Sequence, residues 1–536
     1  MFSRISAAAR RFLVNAGLLI AVNLFMRTVG VSFNVYLSRR AGGEVMGLYS
    51  LLFGVYGLAM TLGCAGINLG TTRMVADVMG VFCPAEDNRA TFREDTACRL
   101  AIRSVLRRCI VYSLICGVGA GVLMFFCAPL IGRVWLGDER TVLSLRVLAL
   151  TLPPISVSSC LSGYFTAVRR IGKSASVGIV GQFLRIGFCS YLLTLWLPEG
   201  VEMTCLALVL GGALSEGCGL LLTMGAFFLD RQRYLAVGRD SCEVDTGEHG
   251  ATHKLLGITV PVTLAACMRS GLLTLQHILI PRGLKASGAS WERALTSYGV
   301  VHSMVLPVVL FPSAFISSFS GLLVPEVAES WARGDRERVA RLAYKIITPA
   351  LIFSFGVAGI MACFGNELGV VIYGSHEAGM YIRVLAPLIP IMYVDSSVDA
   401  FLKGMGEQVY SMNVNIIDAL ASVILVWLLL PRMGLSGYIV AIYVTETLNT
   451  TLSLCRMLRM SEMKVRLSHQ VVLPIVCIVG ATVLCRLAGL FLGATATIGG
   501  VGSLTLWIGI CAAVYLGLLQ LTGVKLFGKE PSGASQ

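Results

Sequence analysis

The sequence predicts an all-α integral membrane protein with about fourteen transmembrane helices of roughly 20 residues or more each. Three observations lead to this fold class. Hydrophobic residues make up 56% of the 536 residues and charged residues only 14%, whereas charged residues are about 25% of a soluble domain. The mean hydropathy is +0.79. Long apolar runs recur along the whole chain with short polar segments between them, which leaves little length for a separate soluble domain.

The predicted helices are the apolar runs bounded by charged or turn residues. They cover 11–37, 45–77, 101–130, 142–168, 174–197, 202–229, 255–280, 296–325, 340–364, 378–403, 409–430, 434–456, 469–492 and 499–522. The basic residues ahead of the first run resemble a secretory signal, but no small-residue cleavage site follows. We therefore expect an uncleaved first helix.

The three largest polar segments indicate the topology. Segments 78–100, 230–254 and 326–345 all fall on one side of the membrane and, with the other loops of that side, contain most of the Lys and Arg, as cytoplasmic loops do. We therefore expect a multi-pass protein of the bacterial cell membrane with both termini in the cytoplasm. The net charge of +13 is spread over many loops, so no nucleic-acid partner is predicted.

The sequence offers no support for an enzyme. It contains no GxxxxGK[ST] phosphate-binding loop, no HExxH motif and no nucleophile elbow, and the outer loops are too short for an external catalytic domain. The 17 cysteines include no CxxC pair and indicate neither a zinc site nor a disulfide framework. We predict no catalytic residues, no metal site and no cofactor.

An internal duplication predicts two lobes. Arg27 in the first helix corresponds to Arg269 in the seventh, and Glu216 in the sixth corresponds to Glu446 in the twelfth. Duplicated bundles with a site between the halves are common among transporters. We expect a monomer, because the repeats already supply both sides of such a site. The predicted parts are an N-terminal lobe (1–229), a cytoplasmic linker (230–254), a C-terminal lobe (255–458), two additional helices (469–522) and a cytoplasmic tail (523–536).

Three arginines lie well inside predicted helices: Arg27, Arg185 and Arg269. A charge at the bilayer centre costs about 2.5–3.5 kcal/mol on insertion scales, so such residues usually face a water-filled cavity or a partner. Arg27 and Arg269 occupy equivalent places in the two repeats and are predicted to meet across a cleft. Their guanidinium forks would suit phosphate oxygens. The alternative is that each arginine pairs with an acid or reaches the interface.

Other polar residues within the helices allow two interpretations. Glu216, Asp395, Asp399, Asp418 and Glu446 either pair with a buried arginine such as Arg185 or couple transport to Na⁺ or H⁺. Asn23, Asn34 and Gln276 either bind a sugar headgroup or make interhelical hydrogen bonds. Prolines that include Pro307 and Pro312 interrupt helices, either as hinges or as static kinks.

Two stretches carry a family resemblance. MRTVGVSFNVYLSRRAGGEVMGLYSLLFGVYGLAMTLGCAGINLGTTRMVAD (26–77) and GYFTAVRRIGKSASVGIVGQFLRI (163–186) resemble the stage V sporulation protein B family, as does GGALSEGCGLL around Glu216. That family belongs to the multidrug, oligosaccharidyl-lipid and polysaccharide exporter superfamily. One position departs from it, since Gly181 stands where the family commonly has glutamate.

The resemblance implies a flippase for undecaprenyl-pyrophosphate-linked oligosaccharides, working by alternating access in the membrane lipids. Lipid II for peptidoglycan is the leading substrate, and cell-wall or other polysaccharide synthesis and sporulation are the implied contexts. By position, Arg27 and Arg269 match cavity arginines that face the pyrophosphate in similar lipid II flippases, and Arg73 is expected to join them.

Three other hypotheses remain. A cation-coupled multidrug exporter of the same superfamily would need an acid-rich cavity and no anion site, which the arginines disfavour. A membrane-embedded glycosyltransferase would need a sizeable external loop. A non-transporting scaffold in envelope or spore-coat synthesis would keep its function after both cavity arginines were removed.

Overall fold

The computed structural model describes residues 7–82, 96–168, 170–234, 248–463, 467–491 and 500–522, and regular structure in these ranges is helical. The predictions for most of the linker and for the tail 523–536 fall outside them. The helices are α1 Ala7–Cys64, α2 Ile67–Phe82, α3 Thr96–Leu130, α4 Thr141–Ala167, α5 Ile171–Trp196, α6 Val201–Tyr234, α7 Glu248–Ala286, α8 Trp291–Gly299, α9 Leu306–Leu310, α10 Ser313–Ala332, α11 Arg336–Tyr373, α12 His376–Leu385, α13 Ile389–Gly404, α14 Gln408–Met433, α15 Leu435–Ser461, α16 Leu473–Phe491 and α17 Val501–Leu521.

Within the described residues, 12 helical segments are long and apolar enough to cross a membrane. This confirms the all-α, multi-pass membrane fold class. The first predicted span and the first part of the second lie in one continuous element, α1, in which only Gly42 departs from helical geometry (φ 81°, ψ 172°). That backbone conformation is essentially restricted to glycine. The second predicted span continues through a turn at 65–66 into α2. The predicted span 296–325 is divided into α8, α9 and α10 with a turn at 311–312.

Contacts divide the chain into two compact units. The first contains residues 1–47 and 280–536, and the second contains residues 48–279. This division differs from the lobes predicted from the repeat, 1–229 and 255–458. Both boundaries fall inside long helices, α1 and α7, so each of these helices contributes to both units.

Glycines explain why the start of α1 belongs with the first unit. A Cβ added to Gly47 would clash with the backbone of Leu295, and one added to Gly299 would clash with the backbone of Gly43. The α1 and α8 backbones therefore touch, and any larger side chain would separate them. The Oγ of Ser303, just after α8, also donates to the carbonyl of Met46 (3.2 Å).

The second unit has a core formed by α2, α3, α4 and the start of α7. Its buried members include Ile67, Met74, Val75, Ile102, Val105, Tyr164, Phe165 and Leu255. Two threonines of α7 tie that helix to α1, because Thr263 donates to the carbonyl of Ala65 (2.6 Å) and Thr274 to that of Gly54 (2.8 Å). These bonds place most of α7 with the second unit.

The first unit has two clusters that share α11. One joins α10, α11, α13 and α15 through Val327, Leu342, Ile346, Phe401 and Met457, and the other joins α11 to α16 and α17 through Ile352, Phe364, Ile478, Cys511 and Tyr515. Polar contacts fix the two additional helices. The Tyr515 hydroxyl donates to the carbonyl of Ile352 (2.7 Å), and Gln470 donates to Thr348 (2.8 Å).

Candidate functional site

The path from α8 to α10 is interrupted at two prolines. A π-helical turn covers Val300–Val305, Pro307 follows it, and Pro312 precedes α10. Proline has no N–H, so the α-helical donors for the carbonyls of Ser303 and Val308 are missing. In a membrane, backbone groups freed in this way must find partners inside the protein. The carbonyl of Val308 accepts from the N–H of Phe311 (3.3 Å).

One predicted site residue donates to the Ser303 carbonyl, and a second donates to another carbonyl of the interrupted segment. Asn34 Nδ2 donates to the carbonyl of Ser303 (2.6 Å). Arg27 Nη2 donates to the carbonyl of Leu310 (2.9 Å) and approaches Ser313 Oγ (3.4 Å). Arg27 and Asn34 are about two turns apart on α1 and therefore share one face of it. That face binds the interrupted segment within the first unit.

Two buried tyrosines complete the set of donors. The Tyr373 hydroxyl of α11 donates to the carbonyl of Met304 (2.7 Å). The Tyr393 hydroxyl of α13 donates to the carbonyl of Val309 (2.6 Å). Side chains of three helices thus hold the backbone of the interrupted segment in a defined path.

Arg27 has no acidic partner among the described residues, and the residues on either side of it in α1, Met26 and Thr28, are uncharged. Its hydrogen bonds there use Nη2 alone and go to a carbonyl and a hydroxyl. The side chain is exposed. The rest of its five-donor fork can therefore bind an anion.

The other predicted anion-binding residues lie in the second unit. Arg73 on α2 and Arg269 on α7 are exposed, and neither makes an ion pair with any residue that the structure describes. Gln276 on α7 is half-buried. Asn23 lies within α1, but its side chain is outside the described set.

Arg185 is the third arginine within the predicted spans, and it has a polar environment inside the second unit. Its Nη2 donates to the Tyr49 hydroxyl (2.9 Å), and it interacts electrostatically with Glu216. Its Nε is buried and has no hydrogen-bond partner among the described residues. No ion pair within 4.0 Å joins Arg185 to Glu216 among the described residues, so charge pairing of the two stays a prediction.

Three predicted acids gather in the first unit. Asp395 of α13 accepts from Asn449 Nδ2 of α15 (3.3 Å), and Glu446 of α15 interacts electrostatically with Asp418 of α14 and with Asp395. The Oδ1 atom of Asn449 is buried and accepts no hydrogen bond in the described structure. In the part of the chain described here, no three His, Cys, Asp or Glu side chains are arranged to hold a metal ion.

Asp399 has different partners from Asp395, although the two are one turn apart. It forms an ion pair with Lys403 on the same helix (2.6 Å) and a short hydrogen bond with Ser411 of α14. Asp399 thus joins α13 to α14 near their connecting turn.

Ion pairs also fasten one interhelical turn in each unit. Asp230, with a fully buried side chain, binds Arg170 and Lys173 at the turn between α4 and α5. Glu407, at the turn between α13 and α14, binds Arg456 of α15 (3.1 Å). In the first ion pair the acid lies on a long helix and the basic residues lie at the turn. In the second ion pair the acid lies at the turn and the basic residue lies on a long helix.

Comparison with protein families gives two matches. A family of polysaccharide biosynthesis proteins matches residues 12–238, and the MatE family matches residues 292–428. Stage V sporulation protein B of Bacillus subtilis (strain 168) is 24% identical over 519 residues, which cover 96% of this chain and 95% of that protein. Sporulation protein YkvU of the same organism is 19% identical over 402 residues, 74% of this chain and 83% of its own.

Solved structures agree in fold. A lipid II flippase MurJ in an inward closed conformation superposes with a TM-score of 0.65 at 10% identity, covering 94% of this chain and 98% of that one. An inward-facing multidrug resistance MATE family transporter of the MOP superfamily gives 0.59 at 15% identity, covering 82% and 96%. The resemblance predicted from the sequence is confirmed: the chain matches the polysaccharide biosynthesis and MatE family models over part of its length and is similar to stage V sporulation protein B along nearly its whole length.

Proposed function

We propose that this protein is a flippase that moves an undecaprenyl-pyrophosphate-linked oligosaccharide from the inner to the outer leaflet by alternating access. A lipid II-like peptidoglycan precursor is the first substrate to test. The polysaccharide biosynthesis match over 12–238 and the likeness to stage V sporulation protein B support this function. The proposal requires no covalent chemistry.

The observation that carries the proposal is the environment of Arg27. Its guanidinium lies on a membrane helix, is exposed, and is bonded only to a carbonyl and a hydroxyl in the described structure. An arginine held for structural charge balance would have a carboxylate within reach. A guanidinium that lacks one is suited to a diphosphate, to which it can donate two parallel hydrogen bonds.

The contacts of Arg27 suggest how binding would be coupled to movement. A diphosphate would compete with the Leu310 carbonyl and Ser313 for the guanidinium. The Leu310 carbonyl would then keep only the bond from the Ser313 hydroxyl (2.7 Å), which would loosen the interrupted segment between α9 and α10, where Pro312 already prevents a continuous helix. Substrate binding would then favour a different backbone path of this segment. A ligand drives a conformational transition only when it binds one state more tightly than the other, and competition for Arg27 would supply that difference.

We further propose that Arg73 and Arg269 join the diphosphate site, while Asn23, Asn34 and Gln276 contact the sugar side. Asn34 would have to exchange its bond to Ser303 for one to substrate. The fold of the second unit leaves Arg73 and Arg269 exposed and without acidic partners in its described part, which supports their assignment.

For coupling, we propose that the Asp395, Asp418 and Glu446 cluster exchanges protons. Carboxylates that interact electrostatically within one group bind and release protons as a coupled set. The buried Asn449 Oδ1, which accepts no hydrogen bond from a described residue, is a ready acceptor for a protonated carboxyl. Asp399 is outside this group, because Lys403 and Ser411 already bind it.

The decisive experiment measures lipid II on the outer surface of bacteria depleted of their own flippase. The chain is expressed as wild type, as Arg27→Gln and as Arg27→Gln/Arg269→Gln, at matched membrane levels. Glutamine keeps an N–H donor for the Leu310 carbonyl but removes the charge and the fork. We expect exposure with wild type and a loss of at least about tenfold in each variant, since a charged hydrogen bond contributes roughly 1.5–3 kcal/mol.

Arg432→Gln provides the matched control. It removes an exposed guanidinium at the end of α14 and should leave lipid II exposure unchanged. Well-inserted wild-type protein that exposes no lipid II would reject this substrate. Full exposure with the double variant would reject the anion site.

A multidrug exporter is the second candidate, and the MatE match over 292–428 favours it, since that range contains Asp395 and Asp418. Resistance of drug-sensitive cells that depends on these carboxylates but not on Arg27 would support this function over the flippase.

We also propose that the chain acts as a monomer in the bacterial cell membrane with both termini cytoplasmic, which the distribution of Lys and Arg supports. A C-terminal green fluorescent protein fusion should fluoresce, and a C-terminal alkaline phosphatase fusion should be inactive. The opposite pair of results would show that the C-terminus lies on the outer side of the membrane.

A further inference from the structure

A groove of about 550 Å³ lies in the first unit where α11 and α12 meet. It is lined by Ala362, Asn366, His376, Met380, Arg383 and Val384. Three of these side chains can donate hydrogen bonds, and none is acidic. The groove involves no residue assigned above to substrate or proton.

Two glycines allow α11 and α12 to approach each other closely beside this groove. A Cβ added to Gly369 would clash with the backbone of Gly379, and one added to Gly379 would lie 2.8 Å from the Cα of Asn366. The two helices therefore approach backbone to backbone, and the larger side chains Asn366 and Arg383 line the groove beside this contact. Such close approach is possible only where the side chain is a hydrogen atom.

Arg383 is fixed in this position by its stem and not by a charge partner. A Cβ added to Gly365 would clash with its Cγ, which shows how closely the stem packs on α11. The residue is exposed, and no carboxylate in the described part of the chain pairs with it. The nearby Glu367 is engaged by Arg486 (3.1 Å), and Glu377, next to His376 in sequence, is not among the lining residues.

The helix ends around the groove reinforce its positive character. α12 begins at His376, and its N-terminus carries a partial positive charge. The C-terminal carbonyls of α11, which would oppose that charge, are bound by the guanidinium of Arg39 at Val371 and Ile372. An anion in the groove would meet a guanidinium, an imidazole and an amide, while the N–H groups of Ala378 and Gly379 at the start of α12 are already bound by Ser375.

We propose that this groove binds the phosphate group of an anionic ligand, with Arg383 as the principal contact and His376 and Asn366 as additional donors. Guanidinium groups are well matched to phosphate oxygens. The ligand is either the phosphodiester headgroup of a membrane lipid or a soluble phosphate compound. This inference is independent of the proposed flippase activity.

The test uses the full chain in two arms. In neutral detergent, isothermal titration measures binding of inorganic pyrophosphate. In nanodiscs of phosphatidylcholine with or without phosphatidylglycerol, native mass spectrometry measures retained anionic lipid. We expect Arg383→Gln to weaken binding at least about tenfold in one arm, as loss of a charged hydrogen bond implies, while Arg432→Gln binds like wild type.

The arm that responds identifies the source of the phosphate. Arg383→Lys is the second variant: it keeps the charge and much of the stem over Gly365, so a partial loss would confirm a fork contact in a folded protein. Arg27→Gln, alone and combined with Arg383→Gln, separates this groove from the proposed substrate site, because effects of distant independent sites add. Unchanged binding by Arg383→Gln in both arms, or no binding by wild type in either, would overturn the proposal.

Discussion

The hydrogen bond from Asn34 to Ser303 allows a direct test of why α1 packs on the interrupted segment. Asn34 Nδ2 lies 2.6 Å from the Ser303 carbonyl, whose α-helical donor would be the N–H of residue 307. That residue is proline, so the amide of Asn34 occupies the position of the missing donor. We predict that Asn34→Ala destabilises the protein and that Pro307→Ala reduces this loss.

The expected magnitude is modest. Removing a donor from a buried carbonyl costs about 1–3 kcal/mol in soluble proteins, whereas interhelical hydrogen bonds in membrane proteins average about 0.6 kcal/mol, with a maximum near 1.7. Ser303 is 6% exposed, so water cannot readily replace the amide. We expect Asn34→Ala to lower the free energy of unfolding by about 1 kcal/mol, and by less than half of that in a Pro307→Ala background.

The assay is equilibrium unfolding of the four proteins of the double-mutant cycle in mixed micelles with increasing sodium dodecyl sulfate. Asn415→Ala is the control, because Asn415 donates to the carbonyl of Ser411 one turn earlier in its own helix (2.8 Å), and no proline removes that carbonyl's backbone donor. It should change stability by less than about 0.5 kcal/mol. An equal cost of Asn34→Ala in both backgrounds would refute the role assigned to Pro307.

Two further predictions concern the backbone and the ion pairs. Gly42→Ala should lower stability by about 1–3 kcal/mol because the residue has a φ of 81°. Gly57→Ala lies at a helical position where an added Cβ meets open space, and it should be neutral or stabilising by up to about 1 kcal/mol. Thermal melting of the two purified variants compares them, and equal melting temperatures would contradict the prediction. Asp230→Asn should lower the free energy of unfolding by on the order of 3 kcal/mol, because it leaves two cations around a fully buried position without a carboxylate. Glu407→Gln should lower it by about 1 kcal/mol or less, because the partner Arg456 is 41% exposed. Denaturant unfolding measures both, and a cost for Glu407→Gln as large as that for Asp230→Asn would exclude the burial argument.

Much of the candidate site could be predicted from the sequence, because it consists of charged residues within apolar helices. Arg27, Arg185 and the five acids were identified because charges are costly in an apolar helix. Their partners were not, since Ser313, Tyr373 and Tyr393 are ordinary residues whose roles arise from contacts across helices. Pro307 was the available signal for one contact, because it predicts that the Ser303 carbonyl needs a donor from elsewhere in the protein, and Asn34 supplies that donor.

The separation of Asp395 from Asp399 also needed the structure. Their spacing places both on one face of α13, and the sequence treated them alike. In the fold, Asp399 reaches Lys403 and Ser411 near the turn to α14, while Asp395 meets Asn449 of α15. Asn449 was not identified from the sequence, and only its hydrogen bond to Asp395 and its burial at 7% exposure make it a member of the acidic cluster.

The sequence by itself determined the membrane environment, the helical secondary structure and the likeness to stage V sporulation protein B. Apolar runs of span length require a membrane, and a membrane requires each backbone group to be bonded within a helix or within the protein. The tertiary structure alone decided which helices pack together. Gly43, Gly47 and Gly299 bring α1 against α8, and threonines of α7 bind it to the second unit, so the units do not follow chain order. Close packing depends on pairs of residues that are far apart in the chain, and the hydrophobic periodicity of one helix does not indicate which residues form those pairs.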